Sequence, residues 1–140
     1  DLQIKMFMSY PPIVLNEKQE LSEVEQTLRE SRIKHLPIVR LDNTLAGVIT
    51  LSDLYRINAA RTEEADGSVR YKGSSLDRYI LKYWMTKDPL TLKGDDDLME
   101  AIRHMVDGGF GCIIITTKEN KISGLITQSD IIKSVMKMLQ

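Results

Sequence analysis

The sequence predicts an α+β chain made of two β-α-β-β-α repeats packed with pseudo-two-fold symmetry. Three observations carry that expectation. Gly47-Val48-Ile49-Thr50-Leu51-Ser52-Asp53 returns in the second half as Gly124-Leu125-Ile126-Thr127-Gln128-Ser129-Asp130. The register holds without a gap: residues 2–63 laid on 79–140 give 13 identities in 62 pairs, five of them inside the seven-residue motif. Apolar periodicity also switches between helix and strand in the same order in both halves. A unit used twice at a fixed offset stacks on its own copy to bury its faces, and the cleft between stacked copies is a natural place for a ligand.

Each copy opens with an apolar lead-in, Ile4-Lys5-Met6-Phe7-Met8 in the first and Leu81-Lys82-Tyr83-Trp84-Met85 in the second. Phe7 and Trp84 hold equivalent places and are expected to pack on their own repeats. A short strand follows, around Ile13-Val14-Leu15 and Leu90-Thr91-Leu92. An amphipathic helix comes next, with Leu21, Val24 and Leu28 on one face in copy one and Leu98, Ala101, Ile102 and Met105 in copy two. Asn16 and Asp95-Asp96-Asp97 place cap formers at the helix starts, where free N–H groups favour them. Gly108-Gly109 closes the second of these helices.

Two strands then form a hairpin in each copy. They are Leu36-Pro37-Ile38-Val39 with Leu45 to Ile49, and Cys112 to Thr116 with Ile122 to Ile126; Asp42-Asn43 and Glu119-Asn120 make the turns. A last helix follows each motif, Leu51 to about Ala60 and Gln128 to about Leu139. Glu63 to Ser68 and Lys72 to Ser75 break the pattern and read as an exposed linker. The expected organisation is repeat one over 1–61, a linker over 62–78 and repeat two over 79–140.

Composition narrows the function classes. A chain of 140 residues with 42% hydrophobic and 28% charged residues is an ordinary globular domain. A net charge of −1 with interspersed signs gives no basic stripe for nucleic acid. No apolar run approaches the roughly 20 residues of a membrane span, and no targeting segment is legible. Cys112 is the single cysteine, which excludes an internal disulfide and fits a cytoplasmic setting.

The motif itself has a plain reading and a functional one. Thr-x-Ser-Asp at a strand-to-helix join makes a capping box, in which the N-cap hydroxyl and the acid three residues on satisfy free N–H groups. The same junction gathers N–H donors and the positive end of a helix dipole, which suits phosphate, and an acid in the first turn can accept both hydroxyls of a ribose. Thr50 and Thr127 would hold phosphate or ribose, Asp53 and Asp130 would grip the diol, and the motif glycine lets another backbone or a ligand approach closely. Capping and binding are compatible.

Taken together, the chain resembles a tandem pair of CBS domains, a Bateman module. The resemblance rests on the doubled Gly-hydrophobic-x-Thr-x-x-Asp signature and on the lead-ins Met8-Ser9…Pro12 and Met85-Thr86…Pro89. It rests also on the strand Leu36-Pro37-Ile38-Val39. It covers nearly the whole chain. It implies binding of an adenosine-containing ligand (AMP, ADP, ATP or S-adenosylmethionine) in clefts between the repeats, regulation of an attached or associated enzyme, channel or transporter, and pairing into a homodimer. No cofactor is required. Carried onto this chain, one cleft would use Thr50 and Asp53 with Thr86, Pro89 and the backbone near Phe110, Cys112 and Ile113. The other would use Thr127 and Asp130 with Ser9, Pro12, Ile33, His35 and Leu36. Lys34-His35 stands where the family often places bases for phosphate. Copy two has Gly111-Cys112 there and Ile114 in place of the proline, so the clefts are expected to be unequal.

Other chemistry is not supported. Two histidines and one cysteine without ligand spacing make no metal site. Cys112 in an apolar strand reads as a buried hydrophobe, and His104 as a surface residue. No nucleophile–base pair or phosphate loop with lysine appears, so no catalytic residue is assigned. The expected function is therefore a ligand sensor, with a ligand-free structural or dimerisation module as the alternative.

Overall fold

The computed structural model describes residues 1–10, 13–31, 33–59, 61–63, 65–67, 69–71 and 84–140. After a single 3-10 turn at Ile4–Met6, the elements run β1 (Leu15–Asn16), α1 (Leu21–Ser31), β2 (His35–Val39), β3 (Leu45–Thr50) and α2 (Leu51–Ala59). There follow β4 (Arg61–Glu63), β5 (Val69–Tyr71), β6 (Thr86–Lys87), β7 (Thr91–Leu92), α3 (Leu98–Gly108), β8 (Cys112–Thr116), β9 (Ile122–Thr127) and α4 (Gln128–Met138). The β-α-β-β-α order therefore occurs twice, with boundaries within a residue or two of those expected. The stretch read as linker holds a small antiparallel hairpin, β4 with β5. Residues 64, 68 and 72–78 of that stretch, and Pro12 and residues 81–83, lie outside those described.

The chain divides into two compact bodies that do not follow the repeat boundaries. One body gathers Val14–Asp42 and Ala46–Asp88; the other gathers Asp1–Ile13, Asn43–Leu45 and Pro89–Gln140. The lead-in of each repeat thus belongs to the body built on the other.

In the first-repeat body, the strand order is β1-β2-β3-β6. β1 runs parallel to β2, and β6, from the second lead-in, runs antiparallel to β3 with Gly47 opposite Lys87 and Val48 opposite Thr86. Val24, Leu28, Leu36, Ile38, Ile49, Leu54 and Met85 form the core, with Trp84 packed on it. Outward, α1 carries a Glu25–Arg29 ion pair and a Gln26–Glu30 hydrogen bond across successive turns. Asn16 does not cap α1. Its side chain accepts from the Lys18 N–H in the turn ahead of the helix, because the chain needs several more residues to swing from β1 to the helix start.

In the second-repeat body, the order is β7-β8-β9, with β7 parallel and β9 antiparallel to β8. Ser9 pairs with Leu125 at the free side of β9, as Thr86 does with Val48 on β3. Ile4, Leu98, Ala101, Met105, Ile113, Ile115 and Ile126 form the core, and Phe7 and Met8 pack on it. Phe7 and Trp84 therefore pack on the opposite repeat, not their own. The cause lies in the third strand edge. Each β2–β3 or β8–β9 pair leaves one edge of unpaired N–H and C=O groups, and the other lead-in fills it.

The three aspartates ahead of α3 do three different things. Asp95 pairs with Lys5 at the surface, Asp96 accepts from the Lys93 N–H, and Asp97 caps the helix through the Met99 N–H. Gly109 ends α3 in the left-handed region at φ 72°. Asn43 and Asn120 also adopt positive φ in the two turns. Among the described residues, no helix is long and apolar enough to cross a membrane, and no cluster of His, Cys, Asp or Glu could hold a metal ion.

Candidate functional site

Both copies of the motif fold into a strand–helix junction with a reciprocal capping box. At the start of α2, the Asp53 N–H donates to Thr50 Oγ1 (3.2 Å) and the Thr50 N–H donates to Asp53 Oδ2 (2.8 Å). At the start of α4, the Asp130 N–H donates to Thr127 Oγ1 (3.1 Å) and the Thr127 N–H donates to Asp130 Oδ2 (2.9 Å). The next N–H in each helix is also placed alike. Leu51 donates to the Lys34 carbonyl and Gln128 to the Gly111 carbonyl, so the residues before β2 and β8 lie directly against the helix starts. The plain reading of the motif is therefore correct in both copies.

The motif glycines are explained by the exchanged lead-ins. A Cβ at Gly47 would stand 2.6 Å from the Thr86 carbonyl oxygen and 2.8 Å from Met85 Sδ; one at Gly124 would stand 2.8 Å from both the Ser9 carbonyl oxygen and Met8 Sδ. The close approach anticipated at the glycine is made by protein backbone. It brings Thr86 to the first junction and Ser9 to the second.

What differs is the second carboxylate oxygen. Asp53 is 4% exposed, and its Oδ1 is held by the Arg56 guanidinium, one turn along α2. Asp130 is half-buried, and its Oδ1 accepts a hydrogen bond from the Ser9 hydroxyl at 3.0 Å. Neither carboxylate points unpartnered into solvent.

Basic groups collect on the first junction. His35 lies close enough to Asp53 to feel its charge. Its burial, reinforced by the Lys34 charge, nevertheless holds the imidazole below the ordinary histidine range against the opposing pull of Asp53. At the second junction the residue in the place of His35 is Cys112, opposite Thr127 on β9. Burial, with the Asp130 charge beside it, pushes this thiol up to about 12, so it stays protonated and unreactive near neutral pH.

The first-repeat body contains Thr50, Asp53, Thr86, Ile33, Lys34, His35 and Leu36, and the second-repeat body Thr127, Asp130, Ser9, Pro89, Phe110, Cys112 and Ile113. Thr86 with Asp53, and Ser9 with Asp130, share a body as the sequence groups them. His35, grouped by sequence with Asp130, shares its body with Asp53. Leu36 and Ile113 are fully buried in the two cores, so only their backbones are available to a ligand. Phe110 is exposed; its ring meets His104 edge-on at 6.3 Å and its carbonyl accepts from the Gln128 side chain. His104 is partly exposed on α3. Arg56 was not singled out from sequence. The available signal was a base three residues after the motif acid, on the same helix face.

A family model for the CBS domain matches residues 4–59 and again 80–137. A CBS domain-containing protein of Dictyostelium discoideum is 24% identical over 137 residues, covering 98% of this chain and 93% of that protein. Other relatives are longer. This chain spans 35% of an uncharacterized protein of Methanocaldococcus jannaschii (29% identity, 86% of this chain). It spans 21% of a homoserine O-acetyltransferase of Methanohalobium evestigatum (24% identity, 84% of this chain). Among solved structures, CBSX2 in complex with AMP superposes with a TM-score of 0.83 at 18% identity, covering all of both chains. The CBS domain pair of protein MJ0100, in complex with 5′-methylthioadenosine and S-adenosyl-L-methionine, gives 0.77 at 20% identity over 98% of each chain.

Proposed function

The chain belongs to the CBS domain family, and on that premise we propose that it is a regulatory module. It binds an adenosine-containing ligand, an adenine nucleotide or S-adenosylmethionine, and passes occupancy to a partner domain or protein. The observation that carries this reading is the duplicated junction. Each places a carboxylate, a threonine hydroxyl and the N–H groups of a helix start at one point, with a hydroxyl residue of the exchanged lead-in beside it. The ligands named with similar folds, AMP in one and two adenosyl sulfur compounds in another, support the ligand class.

The residues proposed to serve are Thr50, Asp53 and Thr86, with Lys34 and His35, in the first-repeat body, and Thr127, Asp130 and Ser9 in the second. Pro89 and the backbones near Phe110 and Cys112 would contribute to the adenine side. The mechanism is linkage. A ligand that binds one arrangement of the module more tightly shifts the population toward it, by no more than its differential affinity, typically about 1–3 kcal/mol. The long relative named as a transferase, of which this chain spans a fifth, supports an accessory role instead of a catalytic one.

We propose a second copy of the chain as its immediate partner and a cytoplasmic setting. Val106, Ile132, Val135, Met136 and Leu139 are exposed on α3 and beyond the start of α4, and an open groove of about 470 Å³ runs along α4. An apolar face of this kind favours association. Equilibrium sedimentation of the chain, with and without Ile132→Glu, tests the pairing: wild type is expected as a dimer and the variant as a monomer.

Thermal melting tests the ligand. Millimolar AMP, ATP or S-adenosylmethionine should raise the midpoint, since a ligand at a hundred times its Kd adds about 2.7 kcal/mol. Asp53→Ala or Asp130→Ala should each remove the part of the rise that its own site supplies. No rise with any of the three would favour a ligand-free structural module.

A further inference from the structure

Resting on that reading, we infer that Arg56 sets the ligand class of the first-repeat site, selecting adenosyl compounds that carry a phosphate over those that carry none. The argument starts from the two oxygens of Asp53. Oδ2 is committed to the Thr50 N–H inside the capping box. Only Oδ1 is left for an outside group, and Arg56 holds it. The Arg56 side chain is 65% exposed while that of Asp53 is 6% exposed, so the guanidinium reaches down from the surface onto a nearly buried charge.

Arg56 covers the exposed side of the nearly buried Asp53, so a sugar hydroxyl reaching Oδ1 from solvent competes with this guanidinium. The displaced cation stays tethered one helical turn away. The same junction carries two further bases: Lys34, whose carbonyl accepts from the Leu51 N–H at the start of α2, and His35, which feels the Asp53 charge. A ligand phosphate supplies the counter-charge that Arg56 gives up, and planar guanidinium is well suited to hold it. A nucleoside without phosphate breaks the same ion pair, returns only its hydroxyl hydrogen bond, and leaves the guanidinium without a counter-charge.

The second-repeat body supplies the contrast. There the equivalent oxygen is held by a neutral hydroxyl, Ser9 Oγ. Displacing it costs one hydrogen bond from an uncharged donor to the carboxylate, and no ion pair is broken. Lys133 stands in the place of Arg56 and is exposed. That site therefore has no arginine to satisfy and accepts uncharged adenosyl compounds.

The test is calorimetric titration of the full chain carrying Asp130→Asn, which leaves the first-repeat site to be read, with AMP and with adenosine. AMP should bind more tightly than adenosine. Adding Arg56→Ala should weaken AMP by about tenfold or more, the size of a lost charge-assisted contact, and leave adenosine unchanged or tighter. Arg56→Lys should keep part of the preference. If Arg56→Ala weakens both ligands alike, or neither, the inference about Arg56 is overturned while the binding reading stands. If AMP, ATP, adenosine and S-adenosylmethionine all fail to bind before Arg56 is changed, and the same holds in the chain with Asp130 intact, the binding reading fails and takes this inference with it; if only S-adenosylmethionine binds, the inference fails alone.

Discussion

Asp53 and Asp130 hold the same place in two bodies of nearly the same build, and their surroundings divide into what repeats and what does not. The capping boxes repeat to within about a tenth of an ångström. So do the glycine contacts with the exchanged lead-ins and the helix N–H bonds to the Lys34 and Gly111 carbonyls. The groups that reach the second carboxylate oxygen do not repeat: a guanidinium from one turn along the helix in one body, a hydroxyl from the lead-in in the other. The outer helix faces differ as well. Where α1 presents Ser22, Glu25 and Arg29, α3 presents Met99, Ile102 and Val106 at the matching positions. The backbone-determining groups are shared, and the groups available to ligand or partner have diverged. One template thus yields two junctions of different charge and, among the described residues, outer faces of different polarity on α1 and α3.

Substitutions can break or sharpen this comparison. The largest effects should be equal in the two bodies. Ile49 and Ile126 are matching residues with no exposure, and Ala at either should cost about 2–5 kcal/mol in urea denaturation. Gly47→Ala and Gly124→Ala should each cost about 1–3 kcal/mol, because the new Cβ meets a backbone oxygen at under 3 Å. A clear inequality in either pair would mean the shared frame is not equivalent.

The next effects should be unequal. Asp53→Ala removes a buried capping carboxylate and its ion pair, and should cost about 2–3 kcal/mol against about 1 kcal/mol for the half-buried Asp130→Ala. Equal losses would remove the distinction between the two acids. Ser9→Ala should cost about 1 kcal/mol, one hydrogen bond from a hydroxyl to a half-buried carboxylate.

The smallest effect is in pH. His35 in the folded chain sits below its ordinary value near 6.5, so the unfolded chain takes up the proton first. The stability from neutral His35 is whole above that value and falls as pH drops through it, until the folded imidazole also protonates. Replacement by Gln should flatten this slope in denaturation midpoints measured between neutral pH and mild acid. An unchanged slope would show that His35 is not its source.

Much of this was legible in the sequence. The 77-residue register and the alternation of apolar spacing located eight of the described elements almost to the residue, and Thr-x-Ser-Asp announced both capping boxes. What escaped has identifiable causes. Phe7 and Trp84 are apolar wherever they pack, so composition could not say that each lead-in completes the other repeat's sheet. The glycines at 47 and 124 signalled a close approach, but only the fold tells backbone from ligand. The β4–β5 hairpin lies in a polar stretch with little apolar alternation. Arg56 was hidden because a base three residues past an acid reads as an ordinary helix-surface pair; its meaning depends on how deeply Asp53 is buried.

The most direct measurement follows the backbone amide signals of Thr50, Asp53, Thr127 and Asp130 in nitrogen–proton correlation spectra while AMP is added to the full chain. Saturable shifts centred on those amides, stronger and at lower concentration for the Thr50–Asp53 pair, are the expected result. Spectra that do not move, or shifts confined to the outer faces of α3 and α4, would contradict it.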